Sequence, residues 1–355
     1  MYIKRIYLEN YRNYSKEEFL PEIGLNFIFG KNGQGKTNLI ETVYLLSSGK
    51  SFRNNNLREL INFDKSYFKV EIDYVYEENI ESEIKYFFSL SGKKKVKIDG
   101  TEIEKNSDLM ENLLVVIFSP EDLKIVKEDP EKRRKFLDRE ICQINKLYYM
   151  NLLNYNKVLK QRNFYLRENK INKSFLDILD EQIVNFGKEI IEEREKYLKL
   201  LNEESKKINK KITYGREELE IIYLPSVLKE SYSEKMHKFR DNDILNRRTS
   251  IGPHKDDFKV NIDGINARKY GSQGQQRTAA LSIKLSEIEI IKKEKNEYPV
   301  LLLDDVFSEL DEERQKFLID YLKKMQVFIT SAEKLKHIDR KKEILYIEKG
   351  KLKKG

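Results

Sequence analysis

The segment GKNGQGKT, from Gly30 to Thr37, constrains this 355-residue chain more than any other. It satisfies G-x-x-x-x-G-K-[S/T] at every specified position. The apolar run LNFIF (25–29) precedes it. Residues 36–47 follow, carrying Leu39, Ile40, Val43 and Leu46 at helical spacing and stopping before Gly49. Strand, glycine-rich turn and helix in that order make a phosphate cradle. The glycines let backbone N–H groups close on the phosphates, and the helix N-terminus adds its positive dipole. Gly30, Lys31, Asn32, Gly33, Gln34 and Gly35 are therefore expected to bind ATP. Lys36 is placed to reach the β- and γ-phosphates, and the Thr37 hydroxyl to ligate Mg²⁺.

Such a loop needs an acid at the end of a second strand to hold the metal. The run VLLL (300–303) followed by Asp304 and Asp305 fits that need. Four consecutive apolar residues suit a strand buried on both faces of a parallel sheet. The acids then fall at its C-terminal edge, where α/β proteins bind ligands. Asp304 is expected to bind the metal, and Asp305 to orient or deprotonate the attacking water, with Lys36 as its catalytic partner.

Further strands are predicted at 2–9, 68–76, 82–90 and 113–118, and again at 258–262, 327–330 and 344–348. Between them, helices are predicted at 131–142, 146–167 and 175–208, with a short extended piece at 219–224. The fold class is therefore α/β, with a mixed sheet and helices. Its domain is discontinuous, 1–120 with 246–355, and a mainly helical lobe spans 121–245.

Composition excludes several classes. An apolar share of 39% can form a core, so the chain is not disordered. No apolar run approaches the roughly 18 residues of a membrane span, and the alternating N-terminus reads as a strand rather than a signal peptide. The single cysteine, Cys142, excludes a disulfide framework and a multi-cysteine zinc site. His237, His254 and His337 lie far apart, without metal-ligand spacing. A cytoplasmic protein without a membrane partner is expected. Net charge is +8, but residues 127–173 hold 13 Lys/Arg against 6 Asp/Glu. That stretch contains Lys132, Arg133, Arg134 and Lys135, interleaved with aromatics such as Phe136, Tyr148 and Tyr155. Two readings stand: a DNA-binding face, or helices whose aromatics enter the core and whose arginines pair with carboxylates. Lys93, Lys94, Lys95 and Lys97, before the turn at Asp99-Gly100, read as an exposed hairpin.

Between the phosphate loop and the acid pair stands GSQGQQRT, Gly271 to Thr278, and after the acid pair Ser308-Glu309-Leu310-Asp311. The first resembles the signature turn of ABC-type ATPases, and the second the loop where two such subunits face each other. LENYRNY (8–14), FSPEDLKIVKEDPEKRRKFLD (118–138) and RRTSIGPHKDDF (247–258) closely resemble the RecF family of bacterial recombination mediators. The resemblance spans essentially the whole chain. It implies an ABC-type, SMC-like P-loop head whose long coiled-coil arms are replaced by a compact lobe. It also implies an ATP-dependent homodimer on single-stranded or gapped DNA, with Ser272, Gly274 and Gln275 covering the partner's nucleotide in trans. Recombinase loading, replication restart and SOS induction with RecO- and RecR-like partners follow from the same likeness. Arg12 of the YRNY motif would contact nucleotide in such heads, or alternatively pair with a surface acid. His254 reads as a hydrogen-bonding residue.

Three positions depart from the wider ABC pattern. Asp305 stands where glutamate is usual; one methylene less places the carboxylate farther from the water, which implies slow hydrolysis, and the family resemblance implies that DNA stimulates it. Ser119 or Glu121 stands where a glutamine is expected. Thr330-Ser331 replaces the switch histidine. The competing readings are a transporter's ATP-binding subunit and a non-hydrolysing nucleotide module.

Overall fold

The computed structural model describes residues 1–53, 56–77, 79–110, 112–168, 170–332 and 344–354; His337 lies outside them. The chain forms two compact units: Met1–Asp122 with Glu287–Gly355, and Leu123–Ser286.

The first unit opens with strands β1 (Tyr2–Tyr11), β2 (Tyr14–Phe19) and β3 (Leu25–Phe29), followed by helix α1 (Lys36–Ser48). Strands β4 (Tyr67–Tyr76), β5 (Ile80–Ser89), β6 (Lys94–Ile98), β7 (Thr101–Ile103) and β8 (Val115–Phe118) come next. The lysine cluster thus falls on the β6–β7 hairpin. Strand β1 alternates buried and exposed residues, but a bulge between Ile3 and Arg5 shifts its phase, so that Ile3, Ile6 and Leu8 all face the core.

The second unit carries helices α2 (Pro130–Ile144), α3 (Lys146–Tyr165) and α4 (Lys173–Ile212), then strand β9 (Leu219–Leu224). Short helices α5 (Tyr232–Lys238) and α6 (Arg240–Asn246) lead to β10 (Asp257–Ile262), β11 (Ile265–Asn266), α7 (Ala267–Tyr270) and α8 (Gln273–Lys295). Helix α4, 40 residues and about 60 Å long, is capped by the Asn172 side chain and buries Leu176, Leu179, Ile183 and Ile190 on one face. The boundary between units falls within α8. Residues 246–286, placed by the sequence with the ATPase domain, belong to the second unit. The reason is pairing: β10 forms an antiparallel sheet with β9 along Asp257–Leu224 through Ile262–Leu219.

The chain then returns to the first unit with β12 (Val300–Asp304), α9 (Glu312–Tyr321), β13 (Val327–Ser331), β14 (Ile344–Glu348) and β15 (Lys351–Lys354). Two six-stranded sheets result. One is antiparallel, β2-β1-β4-β5-β6-β7; the other is mixed, β15-β14-β3-β13-β12-β8, with only β15 antiparallel. Helix α1 packs between them, burying Leu39, Ile40, Val43 and Leu46 in a core shared by both sheets. Val300 through Leu303 are all buried, as a strand covered on both faces requires.

Backbone shape is most demanding at Gly252 in the second unit. Its φ of 125° and ψ of 176° lie in a region essentially reserved for glycine. A Cβ there would meet the Tyr232 hydroxyl at 2.3 Å and the Tyr155 hydroxyl at 2.5 Å. Gly252→Ala is expected to destabilise the protein by about 3 kcal/mol, seen as a lower urea midpoint.

Candidate nucleotide site

Three neighbouring parallel strands end at one edge of the mixed sheet: β3 runs into Gly30, β12 into Asp304 and Asp305, and β13 into Thr330. The order β3-β13-β12 therefore brings the loop and the acids together although 267 residues separate Thr37 from Asp304. The Thr37 hydroxyl donates to Asp304 Oδ1 at 2.8 Å. Lys36 is buried, with Nζ donating to the carbonyls of Gly30 at 2.6 Å and Lys31 at 3.2 Å. Desolvation holds the Lys36 pKa below its ordinary value, opposed by the charges of Asp305 and Asp304. Desolvation also raises the Asp305 pKa, while Lys36 pulls it down. Thr37 and Asp304 offer two hard oxygen ligands, which suits Mg²⁺, a cation that takes only one or two protein ligands and fills its octahedron with phosphate oxygens and water. Among the described residues no cluster of three or more His, Cys, Asp or Glu could hold a metal by itself.

The loop is braced from below by residues that the sequence reading passed over. Asn13 Nδ2 donates to the Gln34 carbonyl at 2.7 Å, and the Tyr14 hydroxyl to the Gly35 carbonyl at 2.9 Å. Gly350 N–H reaches the Gln34 carbonyl at 3.1 Å, and Lys349 N–H the Gln34 side chain at 2.5 Å. Gly35, at φ 121°, is packed so closely that a Cβ would lie 2.8 Å from the Asn13 amide. The signal was present in YRNY, but its weight falls on Asn13 and Tyr14. Arg12 instead takes the pairing alternative: Nε and Nη2 bind Glu41 at 2.9 and 2.8 Å, and Nη1 the Glu59 carbonyl at 3.1 Å. Its partner is a fully buried acid of α1 rather than a surface one.

At the positions that depart from the ABC pattern, local bonds replace the missing groups. Ser119 N–H and Oγ both donate to Asp122 Oδ2 at 2.8 Å, and Glu121 is exposed. Asp305 sits in left-handed conformation, φ 54° and ψ 25°, where Asp is among the few residues that settle readily. Its carbonyl accepts from the exposed Ser308 hydroxyl at 2.7 Å, and Asp311 caps α9.

In the second unit, the turn resembling the ABC signature is a capping box. Ser272 Oγ accepts from Gln275 N–H at 3.2 Å, and Gln275 Oε1 accepts from Ser272 N–H at 2.9 Å. Ser272 and Gly274 are exposed at the start of α8. His254 hydrogen-bonds as expected: Nε2 donates to the Thr249 carbonyl at 3.1 Å, leaving Nδ1 to accept from Tyr155 at 2.7 Å. Burial, with Lys255, Arg134 and Arg194 adding to it, drives its pKa down to about 4. An unfolded histidine, near 6.5, binds the proton first, so stability is complete above about pH 6.5 and falls as pH drops toward 4. His254→Asn is expected to flatten that fall when urea midpoints are compared across pH.

The KRRK cluster divides. Arg133 is buried, pairing Nε and Nη2 with Asp257 at 2.6 and 2.8 Å. Arg134 Nη1 donates to the Asp256 carbonyl at 2.8 Å. Phe136, Tyr148 and Tyr155 are buried too. Arg133 is thus committed to Asp257 and Arg134 is anchored by one bond and half-buried, while Lys132 and Lys135 are exposed. Arg133→Ala would strand Asp257 and should cost about 3 kcal/mol in denaturant unfolding, whereas Lys135→Ala should leave the midpoint unchanged.

Residues 2–352 match the RecF/RecN/SMC N terminal domain family. The DNA replication and repair protein RecF of Clostridium botulinum is 46% identical over 364 aligned positions, covering 99% of this chain and all of that one. Its counterpart in Clostridium acetobutylicum is 46% identical over 336 positions, covering 93% and 92%. Among solved structures, the recombination mediator protein RecF with ATP superposes with a TM-score of 0.92 at 39% identity, covering 99% and 97%. The Smc head domain of Pyrococcus furiosus gives 0.58 at 18% identity, a likeness of fold. Matched from end to end in sequence and superposed over the same length in structure, the chain belongs to the RecF family of DNA replication and repair proteins.

Proposed function

We propose that the protein is a DNA-binding ATPase of recombinational repair in which ATP acts as the clamp of a homodimer. The observation that carries the reading is the Thr37–Asp304 bond at 2.8 Å, which joins the phosphate loop to a strand-end acid. Gly30 to Gly35 wrap the phosphates with backbone N–H groups, and Lys36 exchanges its two carbonyl partners for the β- and γ-phosphates. Thr37 and Asp304 would hold Mg²⁺, which when bound would supply charge neutralisation at the phosphates. Asp305 orients the attacking water. Its short side chain favours slow turnover, stimulated by DNA.

Ser272, Gly274 and Gln275 cover the nucleotide of a second subunit. Their exposure at a helix N-terminus supports this, since that end carries the positive pole of the helix dipole. The phosphate loop and the acids come from residues 1–122 and 287–355, while the signature turn stands in the unit of residues 123–286. Bound ATP bridges two subunits and hydrolysis removes the bridge, a ligand-driven population shift. The dimer's DNA substrate is single-stranded or gapped, contacted by exposed lysines such as Lys132, Lys135, Lys157 and Lys160. The solved relative is a recombination mediator of the RecFOR pathway, which supports cytoplasmic work with RecO- and RecR-like partners in recombinase loading, replication restart and SOS induction. Among the described residues no helix is long and apolar enough to cross a membrane.

The test is dimer mass and ATP turnover, with and without gapped duplex DNA. Lys36→Met should lose ATP binding and dimerisation together. Ser272→Arg should keep ATP binding by the monomer and lose only the dimer. Equal loss of both in Ser272→Arg would refute the composite site.

A further inference from the structure

We propose that Thr330 is a positioning residue that fixes the metal-side acid and the water-side acid relative to each other. The proposal rests on the nucleotide reading above and deepens it. Thr330 is the penultimate residue of β13, the strand between those that deliver the loop and the acids; its register partners are Asp304 on β12 and Ile28 on β3. The side chain is fully buried. Its hydroxyl oxygen lies 2.9 Å from Asp304 Oδ1, 3.1 Å from Asp305 N and 3.4 Å from the Leu303 carbonyl.

Donor and acceptor arithmetic orders these contacts. The hydroxyl has one proton, and both Asp304 Oδ1 and the Leu303 carbonyl can only accept it. The charged oxygen, which is also nearer, takes it. Asp305 N–H then donates to the free lone pair, so a directed relay runs from Asp305 N–H through Thr330 to Asp304. Each bond polarises the next.

Two consequences follow. The Asp305 N–H is shared between the Thr330 hydroxyl and the Thr330 carbonyl, the latter at 3.2 Å. That double anchor holds Asp305 in its left-handed conformation, one that Asp tolerates better than most non-glycine residues. Asp304 Oδ1 meanwhile receives two hydroxyls, from Thr37 and Thr330. Thr37 is the residue that must offer its own oxygen to a cation. Thr330 is committed to Asp304 and keeps the carboxylate oriented in its place, as outer partners of metal ligands do. It stands in the segment where the wider ABC pattern has its switch histidine.

The test uses the full-length protein and a fluorescent ATP analogue, with MgCl₂ titrated at fixed nucleotide and ATP turnover measured in parallel. Thr330→Val keeps the shape and removes the hydroxyl; Thr330→Ser keeps the hydroxyl. Thr330→Val is expected to raise the half-saturating Mg²⁺ concentration by about 10- to 100-fold and to lower turnover to a similar extent, while Thr330→Ser stays within about threefold of the parent. If Thr330→Val melts below the assay temperature, Thr330→Ala is read by the same criteria. An unchanged Mg²⁺ midpoint in the variant lacking the hydroxyl overturns the proposal. So does a Thr330→Ser variant that behaves like Thr330→Val, because the methyl group would then be what matters. A parent protein that binds the analogue no better than Lys36→Met would instead remove the nucleotide reading on which the proposal rests.

Discussion

Everything at the candidate site depends on one alignment, the adjacency of β3, β13 and β12 in a parallel register. Parallel neighbours end at the same edge, so three chain segments remote in sequence deliver their polar termini to one place. Gly30 leaves β3, Asp304 ends β12 and Thr330 stands near the end of β13 between them. The bonds that result are short and directed: Thr37 to Asp304 at 2.8 Å and Thr330 to Asp304 at 2.9 Å. They do not assemble the sheet. Continuous burial of Val300 to Leu303 does that, and the hydrogen bonds then settle which way the acids face.

The second unit is organised around buried charge. Arg194, almost wholly buried, donates to Tyr148, Asp138, Asp256 and the Pro253 carbonyl. Arg162, equally buried, binds Asp180, Asp243 and Thr249. Breaking such a pair is more damaging than never having built it, because the surviving charge keeps its desolvation penalty. Thr249, Pro253, His254, Asp256 and Asp257 all come from the RRTSIGPHKDDF segment. That segment therefore joins α2, α3 and α4 to the β9–β10 sheet, which accounts physically for a conspicuous polar run that contributes no catalytic group here. The arginines of the KRRK cluster take part in the same scheme.

The phosphate loop was legible because its constraint is local. The glycines, Lys36, Thr37 and the flanking apolar periodicities lie within about two dozen residues, and each element is recognisable by its own spacing. The long helices and the buried strand β12 were legible for the same reason. The second domain boundary was not. Residues 258–262 read as a strand, as they are, yet only pairing with 219–224 reveals which unit they join. Arg12 and Asn13 show the same limit at the scale of a side chain. Neighbours in one motif, they diverge because the turn gives Arg12 a positive φ and turns it to Glu41, while Asn13 lies under the loop.

The sequence alone determined the chemistry available: a phosphate-cradling turn, a paired acid, a helix-starting serine and a surplus of basic residues. Tertiary structure decided which of those groups are free to use it. Arg133 is held in a bidentate pair by Asp257, and Arg134 is tied to the Asp256 carbonyl, both more than a hundred residues away. Thr330 acquired its place because β13 falls between the two strands that matter. Composition and spacing fix charge and periodicity, which are properties of segments. Partner choice is a property of strand order and burial, and those arise only when distant segments share one core.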